Sequence, residues 1–148
     1  MTLKDKINSD LKEAMKSKDK IRLNTVRSIR AMILEFEKSG SGKEISEEDE
    51  IKMLSSAAKK RREAAEQYEK AGREELAENE KKELSIIESY LPEQLNENEL
   101  FDKIKEIAVE NGVTDKSGFG KLMGLVMKEL KGKADGNTIR ETVEKVLS

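Results

Sequence analysis

The 148-residue chain contains no cysteine and no histidine. Without cysteine there is no disulfide framework, no thiolate nucleophile and no zinc-thiolate site. Without histidine the commonest general base and the commonest transition-metal ligand are missing. No metal site and no cofactor are therefore expected. Aromatic residues make up only 3%, so Tyr68 and Tyr90 read as core or rim packing before they read as base-stacking platforms. No apolar run approaches the roughly 18 residues of a membrane span, and no membrane partner is expected. The opening MTLKDKINSD lacks the apolar core of a secretory signal. Together these absences lead to the expectation of a cytoplasmic protein. A phosphate loop of the GxxxxGK[ST] kind is also missing. No triad can be assembled, and no spacing supports a Ser-Lys pair, so no catalytic residue is assigned.

What the chain has is charge. Charged residues reach 41% and hydrophobic residues only 35%. The apolar residues are few but strongly patterned, which argues for amphipathic helices and against disorder. The net charge of −2 conceals local patches. Residues 1–43 carry +5, residues 44–95 carry −6, and residues 116–140 carry +4. Such patches bear on partners more than the average does.

Nearly every segment reads as helix, and the fold class expected is all-α. Leu3, Ile7, Leu11 and Met15 mark a first helix with Thr2 as its cap. Ser17-Lys18-Asp19 breaks it. Leu23, Val26, Ile29, Ile33 and Phe36 line a second helix, which ends in the flexible connector Ser39-Gly40-Ser41-Gly42. Ser46 and Asp49 form a capping signature. From there Ile51, Leu54, Ala58, Ala65 and Tyr68 run at near-heptad spacing. Gly72 interrupts, and Leu76, Glu80, Leu84, Ile87 and Leu91 continue. Two long helices folded back at Gly72 are preferred to one helix bent there. Pro92, the only proline, ends the run. Asn96 and Glu99 form a second capping signature, opening a helix with Leu100, Ile104 and Ile107 inside. Asn111-Gly112 stops it. A further helix is expected from about Ser117 to Lys131, with Gly132 as its C-cap. Asp135 or Asn137 caps the last, where Ile139, Val143 and Val146 face inward. The expected organisation is an N-terminal helical lobe over residues 1–92, containing a long antiparallel helix pair, and a small three-helix lobe over residues 96–148.

The segment GFGKLMGLVMKELKGKADG, residues 118–136, points most directly to function. Wound at about 100° per residue, it is expected to place Phe119, Leu122, Met123, Val126, Met127 and Leu130 on a core arc. Gly120, Lys121, Gly124, Lys128 and Lys131 take the opposite arc. That arc is bare backbone flanked by cations. One reading is approach by an RNA backbone, with glycine allowing closeness and lysine supplying charge and counterion release. The other is that Gly120 and Gly124 admit a neighbouring helix while the lysines are solvated rim. On the residues alone the two are evenly balanced. Lys59-Lys60-Arg61-Arg62 spreads around its helix and reads as solvated surface. Glu80 and Glu83, one turn apart among other acids, also read as solvated charge before acid-base or metal chemistry. The six methionines, Met123 and Met127 among them, read as adaptable core filler.

AGREELAENEKKELSIIESYLPEQL (71–95) followed by KLMGLVMKELKGKADG (121–136) resembles the YqeY family. LNTVRSIRAMI (23–33) and KKRREAAEQYEKAGR (59–73) fit as well. This is a group of small bacterial proteins sharing a domain with GatB, the B subunit of the tRNA-dependent amidotransferase. The resemblance implies an all-helical protein with an N-terminal helical lobe and a C-terminal three-helix lobe. It also implies that the second lobe is similar to the tRNA-holding tail of GatB. On it, Lys121, Gly124, Lys128, Lys131 and Lys133 fall on the motif that would face RNA, and Arg62 and Arg73 are candidates for a second RNA contact. No counterpart of the kinase-like catalytic part of GatB is present. The expectation is an RNA-binding accessory module, its partner a tRNA or another structured RNA, without its own catalytic centre. One alternative is a component of glutamine-dependent amide transfer, a carbon-nitrogen ligase chemistry, working with an amidotransferase or synthetase partner. Another is a helical protein-protein adaptor.

Overall fold

The computed structural model describes residues 2–39 and 44–148. Seven α-helices and one short 3-10 turn account for the regular structure of these residues, with no strand among them. The all-α reading holds. The connector at Gly40-Ser41-Gly42 lies outside the described residues.

Two compact units divide the chain, Met1–Leu91 and Pro92–Ser148. In the first, α1 (Leu3–Ser17) starts with a reciprocal cap. The Thr2 hydroxyl oxygen accepts the Asp5 N–H at 3.1 Å, and the Asp5 carboxylate accepts the Thr2 N–H at 3.3 Å. Leu3, Ile7 and Ala14 are buried, but Met15 is 56% exposed. The expected four-residue stripe fails at Met15 for a geometric reason. Each step of four drifts by about 40°, so three steps leave the face, whereas Ala14 returns to within about 20° of Leu3. Lys18 then takes the left-handed conformation at φ 59 and breaks the helix. Asp19 caps α2 (Lys20–Lys38) by accepting the Arg22 N–H at 3.1 Å.

A Ser46–Asp49 capping box opens α3 (Glu47–Lys70), and Gly72 at φ 73 turns the chain into α4 (Glu74–Glu88). Arg61 of α3 reaches Glu80 at 3.3 Å and Glu83 at 3.2 Å, and Glu69 of α3 pairs with Lys81 of α4. The two helices pack on each other along their lengths and are joined only by the short turn at Gly72, so the pair folds back there. Leu76 is 38% exposed and Ala77 is buried in its place. Ile7, Val26, Ile29, Ile33, Leu54, Ala58 and Ile87 form the core of this unit. Beyond α4, the half-buried Tyr90 hydroxyl donates to Asp10 of α1 and ties the end of the unit to its beginning.

In the second unit, Asn96 and Glu99 form the capping box of α5 (Glu97–Glu110), and Gly112 at φ 66 closes that helix. A 3-10 turn (Lys116–Gly118) leads into α6 (Phe119–Glu129), and α7 (Gly136–Leu147) completes the unit. Helix α6 is shorter at both ends than expected. Asp115 accepts the Ser117 N–H at 2.9 Å and tightens the entry into a 3-10 turn, and Gly132 at φ 76 reverses the chain beyond Leu130. Asp135 occupies the cap position of α7 without a side-chain cap bond. Leu100, Ile104, Leu122, Val126, Ile139 and Val143 make the core. The Gln94 amide donates to the carbonyls of Pro92 and Gly132 at 2.8 and 2.6 Å, and the Leu95 N–H donates to the Lys133 carbonyl at 2.9 Å. These bonds fasten the loop after α6 to the segment that precedes α5.

Candidate nucleic-acid interface

Helix α6 buries Leu122 and Val126, with Phe119, Met123 and Leu125 half-buried against the same core. Met127, expected inside, is 41% exposed. It stands about 140° from Leu122 around the helix, whereas Leu125 stands only about 60° away, so Leu125 takes the inward place. The outer face therefore reads Gly120, Gly124 and Met127, with Lys121 and Lys128 together on one flank. All five are exposed. Lys131 and Lys133 lie beyond the helix end and are half-buried.

The glycines of this region divide sharply. A Cβ placed on Gly118 would sit 2.4 Å from Cγ1 of Val113, which is buried. Gly118 thus serves internal packing between the 3-10 turn and the end of α5. A Cβ on Gly120 or Gly124 would meet nothing within 4 Å. No helix of this unit needs their bareness.

The cations beside them are largely uncompensated. The Lys121 ammonium lies 3.5 Å from the Asn111 carbonyl, a long contact to the end of α5. Lys121, Lys128 and Lys133 enter no ion pair among the described residues. Asp115 is held below the usual carboxylate range by the hydroxyl and N–H of Ser117, so it is charged next to Lys116.

The other sequence candidates fall in the first unit. Arg62 is half-buried on α3, and Arg73 is exposed in the turn before α4. Glu80 and Glu83 are not freely solvated charges, because both converge on Arg61. Burial raises the Glu83 carboxyl above its ordinary value; Arg61 opposes the shift and Glu80 adds to it. Their geometry is that of an ion-pair clasp. Among the described residues no group of three acidic side chains converges as a metal site, and no helix is long and apolar enough to cross a membrane. One feature has no signal in the local sequence, a cleft beside Phe119, because its far wall comes from α7.

A family model described as Yqey-like protein matches residues 4–147. Altered inheritance of mitochondria protein 41, mitochondrial, from Pyrenophora tritici-repentis is 31% identical over 146 residues, which span 96% of this chain and 79% of that protein. The protein of the same name from Lachancea thermotolerans is 33% identical over 85 residues, 57% of this chain and 46% of its own length. The one from Vanderwaltozyma polyspora is 27% identical over 135 residues, covering 90% and 69%. All three relatives are named as mitochondrial, and all come from fungi. This overturns both the cytoplasmic placement and the bacterial label. Lack of an apolar core speaks only against a secretory signal, since mitochondrial leaders are amphipathic and basic.

Proposed function

Because the chain belongs to the Yqey-like family, we propose that it is an RNA-binding accessory protein that lays the outer face of α6 against the sugar-phosphate backbone of a tRNA or similar structured RNA. The observation that carries this reading is the open space over Gly120 and Gly124. Alanine at an exposed helical position is favoured over glycine by roughly 1 kcal/mol. Each glycine therefore weakens α6 and gains no internal packing in exchange. What it leaves is backbone open to close approach from outside. Lys121 and Lys128 on the flank favour an anionic visitor. The choice of tRNA within the RNAs follows the likeness of Lys121, Gly124, Lys128, Lys131 and Lys133 to the GatB tail. Arg62 and Arg73 belong to the other unit, so the face is built from the second unit alone.

Titration with bulk tRNA, against a duplex DNA control at two salt concentrations, tests the proposal when the wild type is set beside Gly124→Leu. The expected result is salt-sensitive binding that prefers tRNA. The substitution should reduce it at least tenfold while the melting temperature holds or rises. Equal affinity in the variant would remove α6 as the contact face, and no tRNA binding at low salt would remove the RNA reading. Amidation of Glu-tRNA only after addition of a synthetase or amidase would make the chain a subunit of amide transfer instead.

A further inference from the structure

Beside the glycine face, the second unit opens a cleft of about 650 Å³ lined by Lys116, Phe119, Glu141, Glu144, Lys145 and Leu147, with Ser148 at its edge. One wall is the 3-10 turn and the first residue of α6, and the other is the last turns of α7. Phe119 is half-buried, packed on the core on one side and facing the cleft on the other. Lys116, Glu141, Glu144 and Lys145 are exposed, and their side chains form neither ion pairs nor hydrogen bonds among the described residues.

The lining selects its visitor by elimination. Two carboxylates oppose a simple anion, two ammonium groups oppose a simple cation, and four charged groups around the walls oppose a wholly apolar molecule. A flat heterocycle with N–H donors on its edge, joined to a phosphate, answers all of them. The volume lies in the range of small-molecule sites. The cleft begins at Phe119, the residue next to Gly120, so a strand lying along α6 passes its mouth.

We propose that this cleft receives one unpaired base of the RNA held on α6. The base lies against the Phe119 ring, its amino-bearing edge donates to Glu141 or Glu144, and the flanking phosphates meet Lys116 and Lys145. This inference rests on the RNA reading and goes beyond it in two respects. The protein distinguishes an RNA with an extruded base from a fully paired one. It also ranks uracil below the other bases, because uracil has no exocyclic amino group for a carboxylate to accept from.

The test uses two RNA hairpins identical except for one bulged cytosine, and a third with bulged uracil. Wild type should bind the cytosine bulge about tenfold more tightly than the paired hairpin, the scale of one base-aromatic stack. Phe119→Leu should bind the paired hairpin as before and lose that preference. Glu141→Gln with Glu144→Gln should keep the preference for a bulge but no longer rank uracil below cytosine. Because Phe119 also touches the core, Lys116→Ala with Lys145→Ala provides a check at two exposed positions, and it should shrink the bulge preference as well. Equal wild-type affinity for bulged and paired hairpins, with both bound, would overturn the cleft assignment and leave the α6 face standing. So would a bulge preference that survives Phe119→Leu. Failure of wild type to bind any hairpin at low salt would overturn both readings together.

Discussion

The two compact units are both densely charged, yet they use their cations in opposite ways. In the first, cations are drawn into the structure. Arg61 holds Glu80 and Glu83, Lys81 pairs with Glu69, Lys4 meets Glu37 at 3.0 Å, and Arg22 lies 3.7 Å from Asp19. In the second, Lys116, Lys121, Lys128, Lys133 and Lys145 stand without an ion pair among the described residues. The difference comes from what faces each helix. The acid-rich α4 lies antiparallel to α3 and meets its cations across the hairpin, whereas the outer face of α6 has no helix of its own unit over it. Arg61 is therefore a structural clasp, whereas Lys121 and Lys128 are exposed charges, and the residue type alone does not tell which.

The largest expected effect breaks the contrast on the open side. Lys121→Ala and Lys128→Ala combined should weaken tRNA binding roughly tenfold at low salt, and should flatten the dependence of log affinity on log salt by about two contacts' worth. Arg61→Ala should leave both quantities unchanged, a difference visible in parallel titrations.

A second prediction concerns the glycines. Gly118→Ala should destabilise the second unit by about 1–3 kcal/mol, because its Cβ collides with a buried valine. Gly124→Ala should instead stabilise it by about 0.5–1 kcal/mol. Denaturant melts of the two variants should move in opposite directions, and a shared direction would erase the distinction drawn between the two glycines. On the closed side, Tyr90→Phe removes the hydroxyl that donates to Asp10 and should cost about 1–2 kcal/mol, with RNA affinity untouched. Burial of the Tyr90 ring raises its pKa, and the Asp10 hydrogen bond adds to the shift, so the bond persists through neutral pH.

The smallest effect is a pH dependence. The folded pKa of Glu83 is raised, so the folded state holds its proton more firmly than the unfolded chain does. Its contribution to stability is fully present below the ordinary carboxylate pKa and is lost as pH rises through the raised value. Glu83→Gln should remove that share, so that stability of the variant falls less than wild type as pH rises from the ordinary carboxylate pKa through the raised value. Chemical denaturation across that interval measures the difference. An identical pH profile would mean that Arg61 fully offsets the burial of Glu83.

Much of the fold was legible in particular residues. Thr2, Ser46 and Asn96 all cap helices as their sequences announce, each with an acid three residues on. Gly72 and Gly112 both adopt positive φ at helix ends. The misreadings share a cause. Met15, Leu76 and Met127 were placed inside because they are large and apolar, while Ala14, Ala77 and Leu125 hold the inward positions by angle. Arg61 was read as solvated because its two acid partners lie 19 and 22 residues away on another helix. Of the candidate site, the glycines and lysines were visible as a pattern, but their two competing meanings were not separable.

The chain by itself determined where helices begin, where they stop, and which stripe of each is apolar. Those outcomes depend on hydrogen bonds and side-chain angles spanning three or four residues, which local sequence contains in full. Tertiary structure alone decided which cations are spent on acids, which glycine is packed and which is bare, and that Phe119 faces a cleft completed by α7. Those outcomes depend on what a distant segment brings to within a few ångströms, and that distance is set only when the helices pack.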